Sequence, residues 1–258
     1  MSSAHPGPLQ QLVIPASFSV PSFDGTTIHY DMYGAASRSA VLIVPGFWRD
    51  RRHESMVRLA SRVATWGYRT AVVDLRGHGD SEGTYGFNHL EHYDVDAVAR
   101  DLVQRVPVES ITLFGLSYGG AIAISTAARH ELPLASLVLI SPVADFRMIV
   151  PRINPFTIHR HIAWSQALRR PRFDWRSPKL RAIDDIASVH APAAFIHVKN
   201  DWLIAHRHSV ALYERANEPK ELHILDVAGN YHADRIFAVA SDAIEPIIAS
   251  FVARFTSK

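Results

Sequence analysis

The residues with the clearest chemical meaning lie at positions 111–120, which read Ile-Thr-Leu-Phe-Gly-Leu-Ser-Tyr-Gly-Gly. An apolar run typical of a buried strand leads into Gly-x-Ser-x-Gly, and small apolar residues at 121–128 then indicate a helix. Gly115 and Gly119 flank the turn because a Cβ at either position would collide with the neighbouring strand and helix. A flexible glycine loop is the plain alternative, but the strand and helix favour a strained turn. Ser117 is therefore predicted to be a nucleophile at a helix N-terminus, where free amides favour negative charge.

This strand, turn and helix resemble the nucleophile elbow of the α/β-hydrolase superfamily, and the resemblance covers nearly the whole chain. Residues 74–81 (Asp-Leu-Arg-Gly-His-Gly-Asp-Ser) also closely match a stretch that is common in this superfamily after the fourth strand. We interpret that stretch as a structural loop, in which His78 is a hydrogen-bonded turn residue and Ser81 lacks an elbow. The resemblance implies a serine, an acid and a histidine, in that order along the chain.

The resemblance places the base at His232. Because the chain has fifteen histidines, residue type alone selects none of them. His232 ends the segment Gly-Asn-Tyr-His, a short loop between the last predicted strand and the C-terminal helix, and the superfamily carries its base in this loop.

Three aspartates compete for the role of the acid. Asp201 lies in the loop after the penultimate strand and resembles the superfamily's Gly-x-x-Asp stretch, although Val-Lys-Asn, with no Gly, precedes it. A helix or turn cap is the structural alternative for Asp201. Asp145 follows the strand before, where some superfamily members carry the acid, and Asp226 is expected inside the last strand. We predict that Asp201 is the acid.

The transition state of acyl transfer also needs donors for a developing oxyanion. The resemblance implies that the backbone amides of Tyr118 and Phe47 supply them. Phe47 lies in Pro-Gly-Phe-Trp after the third predicted strand, where the superfamily usually has His-Gly. Pro45 departs from that pattern, but Gly46 still lets the backbone turn.

The elements that must position these residues alternate between strands and helices. Strands are predicted at 12–20, 27–33, 40–44, 68–74, 111–115, 136–140, 193–198 and 221–227. Helices are predicted at 52–65, from Asp94 as N-cap to Val106, after the elbow, at 207–216, and as one long C-terminal helix from Ile236 to Phe251. This alternation predicts an α/β fold, a doubly wound, mostly parallel sheet of about eight strands with helices on both faces and an antiparallel N-terminal edge.

Residues 146–190 interrupt the alternation and are predicted to form a small lid between core segments 1–145 and 191–258. Between residues 146 and 182 nine Lys or Arg side chains accompany one acid, Asp174. Such charge can steer anions or touch a phospholipid surface, but we favour a solvated lid exterior with its apolar side over the pocket. The aromatic side chains expected to contact substrate are Trp48, Phe146, Phe156, Trp164 and Trp202.

Composition sets the remaining limits. A net charge of +2 gives no reason to expect a nucleic-acid partner, and no apolar run reaches the roughly 20 residues that span a bilayer. The chain has no Cys, which fits a reducing compartment, and residues 1–8 do not resemble a signal peptide, so we expect a cytoplasmic protein. No His-Glu-x-x-His, phosphate loop or dinucleotide fingerprint is present, so neither a metal nor a cofactor is expected.

These observations predict a serine hydrolase that cleaves small-molecule acyl esters and resembles short-lid esterases, monoacylglycerol lipases and serine aminopeptidases. An acyl thioesterase and a carbon–carbon bond hydrolase remain alternatives, because both use the same triad. A Ser at the elbow disfavours haloalkane dehalogenases and epoxide hydrolases, which need a carboxylate nucleophile. The alternative outside enzymes is a ligand-binding receptor on the same scaffold.

Overall fold

A central sheet of eight strands organises the computed structural model, which describes residues 14–105, 107–149 and 171–256. The strands are β1 (Ala16–Pro21), β2 (Thr27–Tyr33), β3 (Ser39–Val44), β4 (Arg69–Val73), β5 (Ser110–Leu116), β6 (Leu134–Ile140), β7 (Ala193–Val198) and β8 (Lys220–Leu225). Their order in the sheet is β1-β2-β4-β3-β5-β6-β7-β8. β1 pairs antiparallel with β2, and β2 pairs antiparallel with β4. All other neighbours are parallel. The predicted fold class is confirmed.

Helices connect the strands and cover both faces of the sheet. They are α1 (Glu54–Thr65), α2 (Glu91–Arg105), α3 (Tyr118–Arg129), α4 (Ala182–Asp185), α5 (Arg207–Arg215), α6 (Ile236–Val239) and α7 (Ser241–Phe255). Because successive side chains of a strand point to opposite faces of the sheet, β3 contributes residues to two apolar clusters. Leu42 packs with residues of α2 and α3, whereas Ile43 packs with residues of α1 and α7.

The topology brings the candidate residues to one edge of the sheet. Parallel strands place their carboxyl ends at the same edge, and ligands bind there in open α/β sheets. Ser117 follows β5, Asp201 follows β7, and His232 follows β8. Three residues that are far apart in sequence therefore meet at the same edge.

The start of α2 differs from the prediction. Asp94 was expected to be the N-cap, but the helix begins at Glu91 and Asp94 is a fully buried residue of its first turn. Its carboxylate accepts bonds from the Arg76 side chain, at 2.6 Å from a terminal guanidinium nitrogen, and from the Ser22 hydroxyl at 2.8 Å. A buried ion pair, which a local capping pattern does not contain, therefore determines the role of Asp94. Val106 lies outside the described residues.

The predicted single C-terminal helix is wrong, because it divides at Ala240 into α6 and α7. The bend lets Ile236 on α6 pack in the same apolar cluster as Ile244 and Ile248 on α7. In the described part of the chain no single helix is long and apolar enough to cross a membrane. The segments Ala233–Val239 and Ser241–Phe255 meet that criterion only together, as a pair bent by 114°.

The start of β1 and the end of β8 are among the strand ends that differ from the prediction. β1 begins at Ala16, and residues 12–13 lie outside the described range. β8 ends at Leu225, so Asp226 follows the strand instead of lying inside it.

The loop at 74–81 is tied to the sheet by a buried arginine. Arg51, which is 1% exposed, pairs with Asp31 at 2.9 Å, with Asp80 at 2.7 Å and closely with Asp74. Desolvation lowers the pKa of Arg51, but the three carboxylates outweigh it and hold the pKa above its ordinary value. Arg51 therefore stays charged and fixes this loop.

The returning part of the predicted lid, residues 171–181, lies along the loop that precedes α2. The Tyr85 amide donates to the Arg172 carbonyl at 2.8 Å, and the Asp174 amide donates to the Tyr85 carbonyl at 2.9 Å. Farther along, the Leu180 amide donates to the Asn88 carbonyl at 2.7 Å. Backbone bonds thus fasten this segment, which we call the return strap, to the core.

Candidate active site

Ser117 stands at the tip of a sharp turn between β5 and α3. Its φ of 53° and ψ of −118° lie outside the regions that a serine ordinarily adopts, which is the strain expected of an elbow. A Cβ added to Gly115 would lie 2.5 Å from the Gly120 Cα. A Cβ added to Gly119 would lie 2.5 Å from the Pro45 carbonyl oxygen. The glycines are therefore required by the close approach of α3 to the strands on either side.

The structure brings Ser117, His232 and Asp201 into one hydrogen-bonded chain. His232 Nε2 lies 2.8 Å from Ser117 Oγ, and His232 Nδ1 lies 2.7 Å from Asp201 Oδ2. An ionised carboxylate can only accept, so Nδ1 carries the proton that it donates to Asp201. Nε2 is then the acceptor for the Ser117 hydroxyl. This geometry can move a proton from the serine to the imidazole.

The surroundings of Asp201 favour its ionised form. Burial raises the pKa of this carboxyl, but the facing His232 and His197 outweigh that effect, and the pKa is lowered well below its ordinary value. The second carboxylate oxygen, Oδ1, accepts from the amides of Leu203 and Ile204, both at 2.9 Å. Asp201 therefore also caps its own turn, and its capping role and its contact with His232 coexist.

His197 lies near the end of β7, and its polar side chain is completely buried. Its Nε2 lies 2.9 Å from the Ile204 carbonyl oxygen and 3.4 Å from Asp201 Oδ2. Because the carbonyl can only accept, Nε2 is the protonated nitrogen, and Nδ1 accepts from the Ser209 hydroxyl at 2.7 Å. His197 therefore fixes the turn that carries Asp201.

The two other aspartates considered for the acid make different contacts. Asp145 caps a short 3-10 helix by accepting from the Arg147 amide at 2.9 Å, and it also pairs with Arg181 at 2.9 Å. Burial raises the pKa of Asp145, but the bonds from both arginines outweigh it and lower the pKa. Asp226 is exposed and lies 3.5 Å from the Lys199 ammonium. In the part of the chain that the structure describes, the His232 ring bonds to Asp201 and Ser117 and to neither of these two residues.

His78 and Ser81 occupy the structural positions expected of them. Burial lowers the pKa of His78 to about 4, so the ring is neutral, and its Nε2 accepts from the Trp48 amide at 3.2 Å. The Ser81 hydroxyl donates to the Asp74 carbonyl at 2.7 Å and accepts from the His29 amide at 2.8 Å.

The loop after β3 lies directly against Ser117. A Cβ added to Gly46 would be 3.1 Å from Ser117 Cβ and 3.7 Å from Oγ. The Arg49 amide donates to the Gly46 carbonyl at 3.1 Å, and Trp48 has a φ of 72°, so residues 46–49 form a tight turn with Phe47 inside it. α3 begins at Tyr118. The amide of a first helical residue has no acceptor within its own helix. Among the described residues, none accepts a hydrogen bond from the amide of Phe47 or Tyr118.

An aromatic wall adjoins this turn. Phe47 packs against Phe87, with ring centroids 4.8 Å apart, and Phe87 stacks on Trp175 at 4.2 Å. Tyr118 lies 5.4 Å from Phe87 and 6.2 Å from Phe146. The wall consists of Phe47, Tyr85, Phe87, Tyr118, Phe146, Phe173 and Trp175.

The predicted substrate-contacting residues have different positions relative to this wall. Phe146 is part of it, Trp48 touches it through Phe47 at 5.3 Å, and Trp202 lies 6.3 Å from the His232 ring. Phe156 and Trp164 lie outside the described residues.

Sequence reasoning missed Tyr85 and Phe87, which precede α2 in a segment without periodicity. Their only signal was aromatic character in an otherwise polar, glycine-containing loop. It also missed the role of His197, whose signal was a polar residue in the apolar strand Ala-Ala-Phe-Ile-His-Val, since buried polar groups need partners.

Within the described residues no group of His, Asp or Glu side chains is arranged to hold a metal ion.

Comparison with known proteins agrees with this architecture. The model of the family Hydrolase_4, described as serine aminopeptidase, S33, matches residues 35–182. Lysophosphatidylserine lipase ABHD12 of Danio rerio is 22% identical over 205 residues, which cover 75% of this chain and 51% of that protein. Human α/β hydrolase domain-containing protein 17C is 29% identical over 163 residues, 62% of this chain and 43% of that protein. The matched part of this chain thus spans about half or less of these relatives.

Solved structures share the fold over almost their whole length. The esterase Pf2001 of Pyrococcus furiosus has a TM-score of 0.78 at 19% identity, covering 95% of this chain and 94% of that one. The esterase RhEst1 of Rhodococcus has a TM-score of 0.70 at 19% identity, covering 93% and 99%. The family match over residues 35–182, together with this shared fold, shows that the chain belongs to the Hydrolase_4 family of α/β hydrolases.

Proposed function

We propose that this protein is a serine hydrolase that cleaves carboxylic esters through an acyl-enzyme intermediate on Ser117. The observation that carries the proposal is the continuous chain of hydrogen bonds from Ser117 Oγ through His232 to Asp201, at a strained elbow. A serine hydroxyl is a weak nucleophile until a positioned base accepts its proton. The proposal gives His232 that role and makes Asp201 the group that orients and stabilises the imidazolium.

The proposed reaction has two halves. Ser117 Oγ attacks the ester carbonyl while its proton passes to His232 Nε2, and the same proton then goes to the departing alcohol. Water enters, gives up a proton to His232 and attacks the acyl carbonyl, and the carboxylic acid leaves as Ser117 regains its proton. In both halves the negative charge on the carbonyl oxygen is assigned to the amides of Phe47 and Tyr118, beside the N-terminus of α3.

The aromatic wall supports a substrate with an apolar or aromatic group. It begins at Phe47 and Tyr118, the two residues whose amides are proposed to bind the oxyanion, so a group attached to the reacting carbonyl would reach it directly. One similar protein is named an esterase and another a lysophosphatidylserine lipase. Both names favour an ester as the substrate over compounds with other bonds. We therefore assign the substrate to small-molecule acyl esters.

Hydrolysis of matched esters and thioesters tests this function. We expect the purified protein to hydrolyse p-nitrophenyl esters with a higher kcat/KM than acyl-CoA thioesters of the same chain length. The opposite order would replace the esterase proposal with a thioesterase. A protein that hydrolyses neither series but binds the acyl group would instead be a receptor. Ser81→Ala is a matched control, because its hydroxyl is buried and bonded in a structural loop, and it should retain most of the activity.

A further inference from the structure

The residue after His232 has a strained backbone. Ala233 has a φ of 45°, in the left-handed region that side chains other than glycine rarely adopt, and it is 3% exposed. Such a conformation persists only where the surrounding structure holds it, and it concentrates at functional sites. The next residue, Asp234, bonds to side chains outside its own loop.

Asp234 is bonded to two elements outside its own loop. Its Oδ2 lies 3.0 Å from Arg49 Nε and accepts from the Ser55 hydroxyl at 2.6 Å. The side chains of Asp234 and Arg49 are only 10% and 16% exposed. Burial raises the pKa of Asp234, but the charge of Arg49 and the bond from Ser55 outweigh it and lower the pKa, so the carboxylate stays ionised.

The other ends of these bonds lie at the elements that flank Ser117. Arg49 closes the turn at 46–49 through its amide, and a guanidinium nitrogen also reaches the Trp48 carbonyl at 3.4 Å. That turn contains Phe47. Ser55 lies in the first turn of α1. One carboxylate therefore joins the loop of His232 to the turn that carries the Phe47 amide.

We propose that Asp234 is a positioning residue for the Ser117 site. Its ion pair with Arg49 and its bond from Ser55 keep Ala233 in the left-handed conformation and set the distance between the base and the oxyanion donor. This inference rests on the proposed function. Asp234 itself bonds to Arg49 and Ser55 and not to the reacting groups, so its removal should lower kcat and leave KM almost unchanged.

The first test removes either end of the ion pair. Asp234→Asn keeps the size of the side chain and loses its charge, and Arg49→Met keeps most of the stem and loses the guanidinium. Each should lower kcat by about 10- to 100-fold, the scale of a small misplacement of reacting groups, with KM within about twofold. Because the two side chains act as one unit, the double variant should be no slower than the slower single variant.

The second test separates positioning from general destabilisation. Glycine adopts a positive φ without strain, so adding Ala233→Gly to Asp234→Asn should restore kcat to within about threefold of the wild type. Arg62→Met is the matched control. It breaks the 2.6 Å ion pair of Arg62 with Glu245, which joins α1 to α7 away from the elbow, and it should leave kcat within about twofold.

A readout independent of turnover is the downfield NMR proton of His232 Nδ1, which reports the bond to Asp201. We expect it to be lost in Asp234→Asn and to return with Ala233→Gly. If the wild type hydrolyses esters and Asp234→Asn keeps kcat within twofold, the positioning role is wrong and the esterase proposal stands. If the wild type hydrolyses none, the esterase proposal fails, and the NMR proton alone decides: its loss in Asp234→Asn supports the positioning role, and its retention overturns it.

Discussion

At the scale of single residues, the Asp201 carboxylate uses both oxygens. One accepts two backbone amides, and the other faces the imidazoles of His232 and His197. An amide at this position could present its nitrogen to His232 and thereby favour the wrong tautomer of the base. We therefore expect Asp201→Asn to lower kcat by about two to four orders of magnitude, measured with a p-nitrophenyl ester.

Asp145→Asn is the matched substitution for Asp201→Asn. Asp145 bonds to Arg147 and Arg181 just before the predicted lid, so its loss should change kcat by less than about tenfold, an indirect effect of about 1.4 kcal/mol. If Asp145→Asn were the more damaging of the two, the acid would be misassigned while the serine nucleophile would remain.

His197 gives a second prediction at this scale. His197→Phe removes the donor to the Ile204 carbonyl and the acceptor of the Ser209 hydroxyl, both of which would then be buried without a partner. The free energy of unfolding in urea should fall by about 1–3 kcal/mol, and kcat should fall as the Asp201 turn loosens. Ser209→Ala, which removes only the Nδ1 partner, should cost less. An unchanged urea midpoint in His197→Phe would contradict this role.

The three main residues of the site could be predicted because each follows a strand in a position that the superfamily resemblance marks. The contacts that hold them could not. Asp234 follows His232 directly, but nothing local indicates that its partner is Arg49, 185 positions away in the sequence. Ion pairs of this kind depend on how loops approach one another, which residue types and spacing do not encode.

At the scale of elements, α3 lies so close to the ends of β3 and β5 that the elbow excludes side chains. A Cβ at Gly119 would overlap the carbonyl oxygens of Val44 and Pro45. We expect Gly119→Ala to displace α3, to lower the thermal midpoint and to abolish ester hydrolysis.

Gly25→Ala is the control for Gly119→Ala. Gly25 has a positive φ of 82° but no atom within 4 Å of an added Cβ, so its cost should be limited to about 1 kcal/mol of backbone strain, with activity retained. If Gly119→Ala were as stable and active as Gly25→Ala, the close contact at the elbow would not hold in solution.

The strands were the most predictable elements, since short apolar runs mark five of the eight, β3 to β7. The ends of the helices were less predictable from the sequence. α2 begins three residues before Asp94, whose buried carboxylate pairs with Arg76 instead of capping the helix, and the C-terminal segment bends at Ala240 although no Gly or Pro stands there. In both cases tertiary packing overrides a local pattern.

At the scale of the whole molecule, ion pairs made by buried arginines join separate loops and give stability a pH dependence. Asp24, in the turn between β1 and β2, pairs with Arg76 at 3.0 Å. Desolvation raises the pKa of Asp24, but the bonds from Arg76 and Thr26 outweigh it and lower the pKa to about 2.

An aspartate in the unfolded chain has a pKa of about 3.9, so the unfolded state takes up a proton first as the pH falls. The contribution of Asp24 is therefore complete above about pH 4 and is lost between pH 4 and 2. We expect wild type to exceed Asp24→Asn by about 1 kcal/mol or less near pH 7, because the pair is partly exposed, and this difference should vanish near pH 2. Urea unfolding at several pH values measures it, and a difference that grows on acidification would contradict the pairing.

The central claim is that Ser117 is an activated nucleophile, and covalent trapping with a fluorophosphonate probe tests it most directly. Peptide mapping by mass spectrometry should place the probe on Ser117 alone in the wild type. Labelling should be lost in Ser117→Ala and His232→Ala and retained in Ser81→Ala. A probe found on another residue, or ester hydrolysis by Ser117→Ala above about a thousandth of the wild-type rate, would contradict the claim.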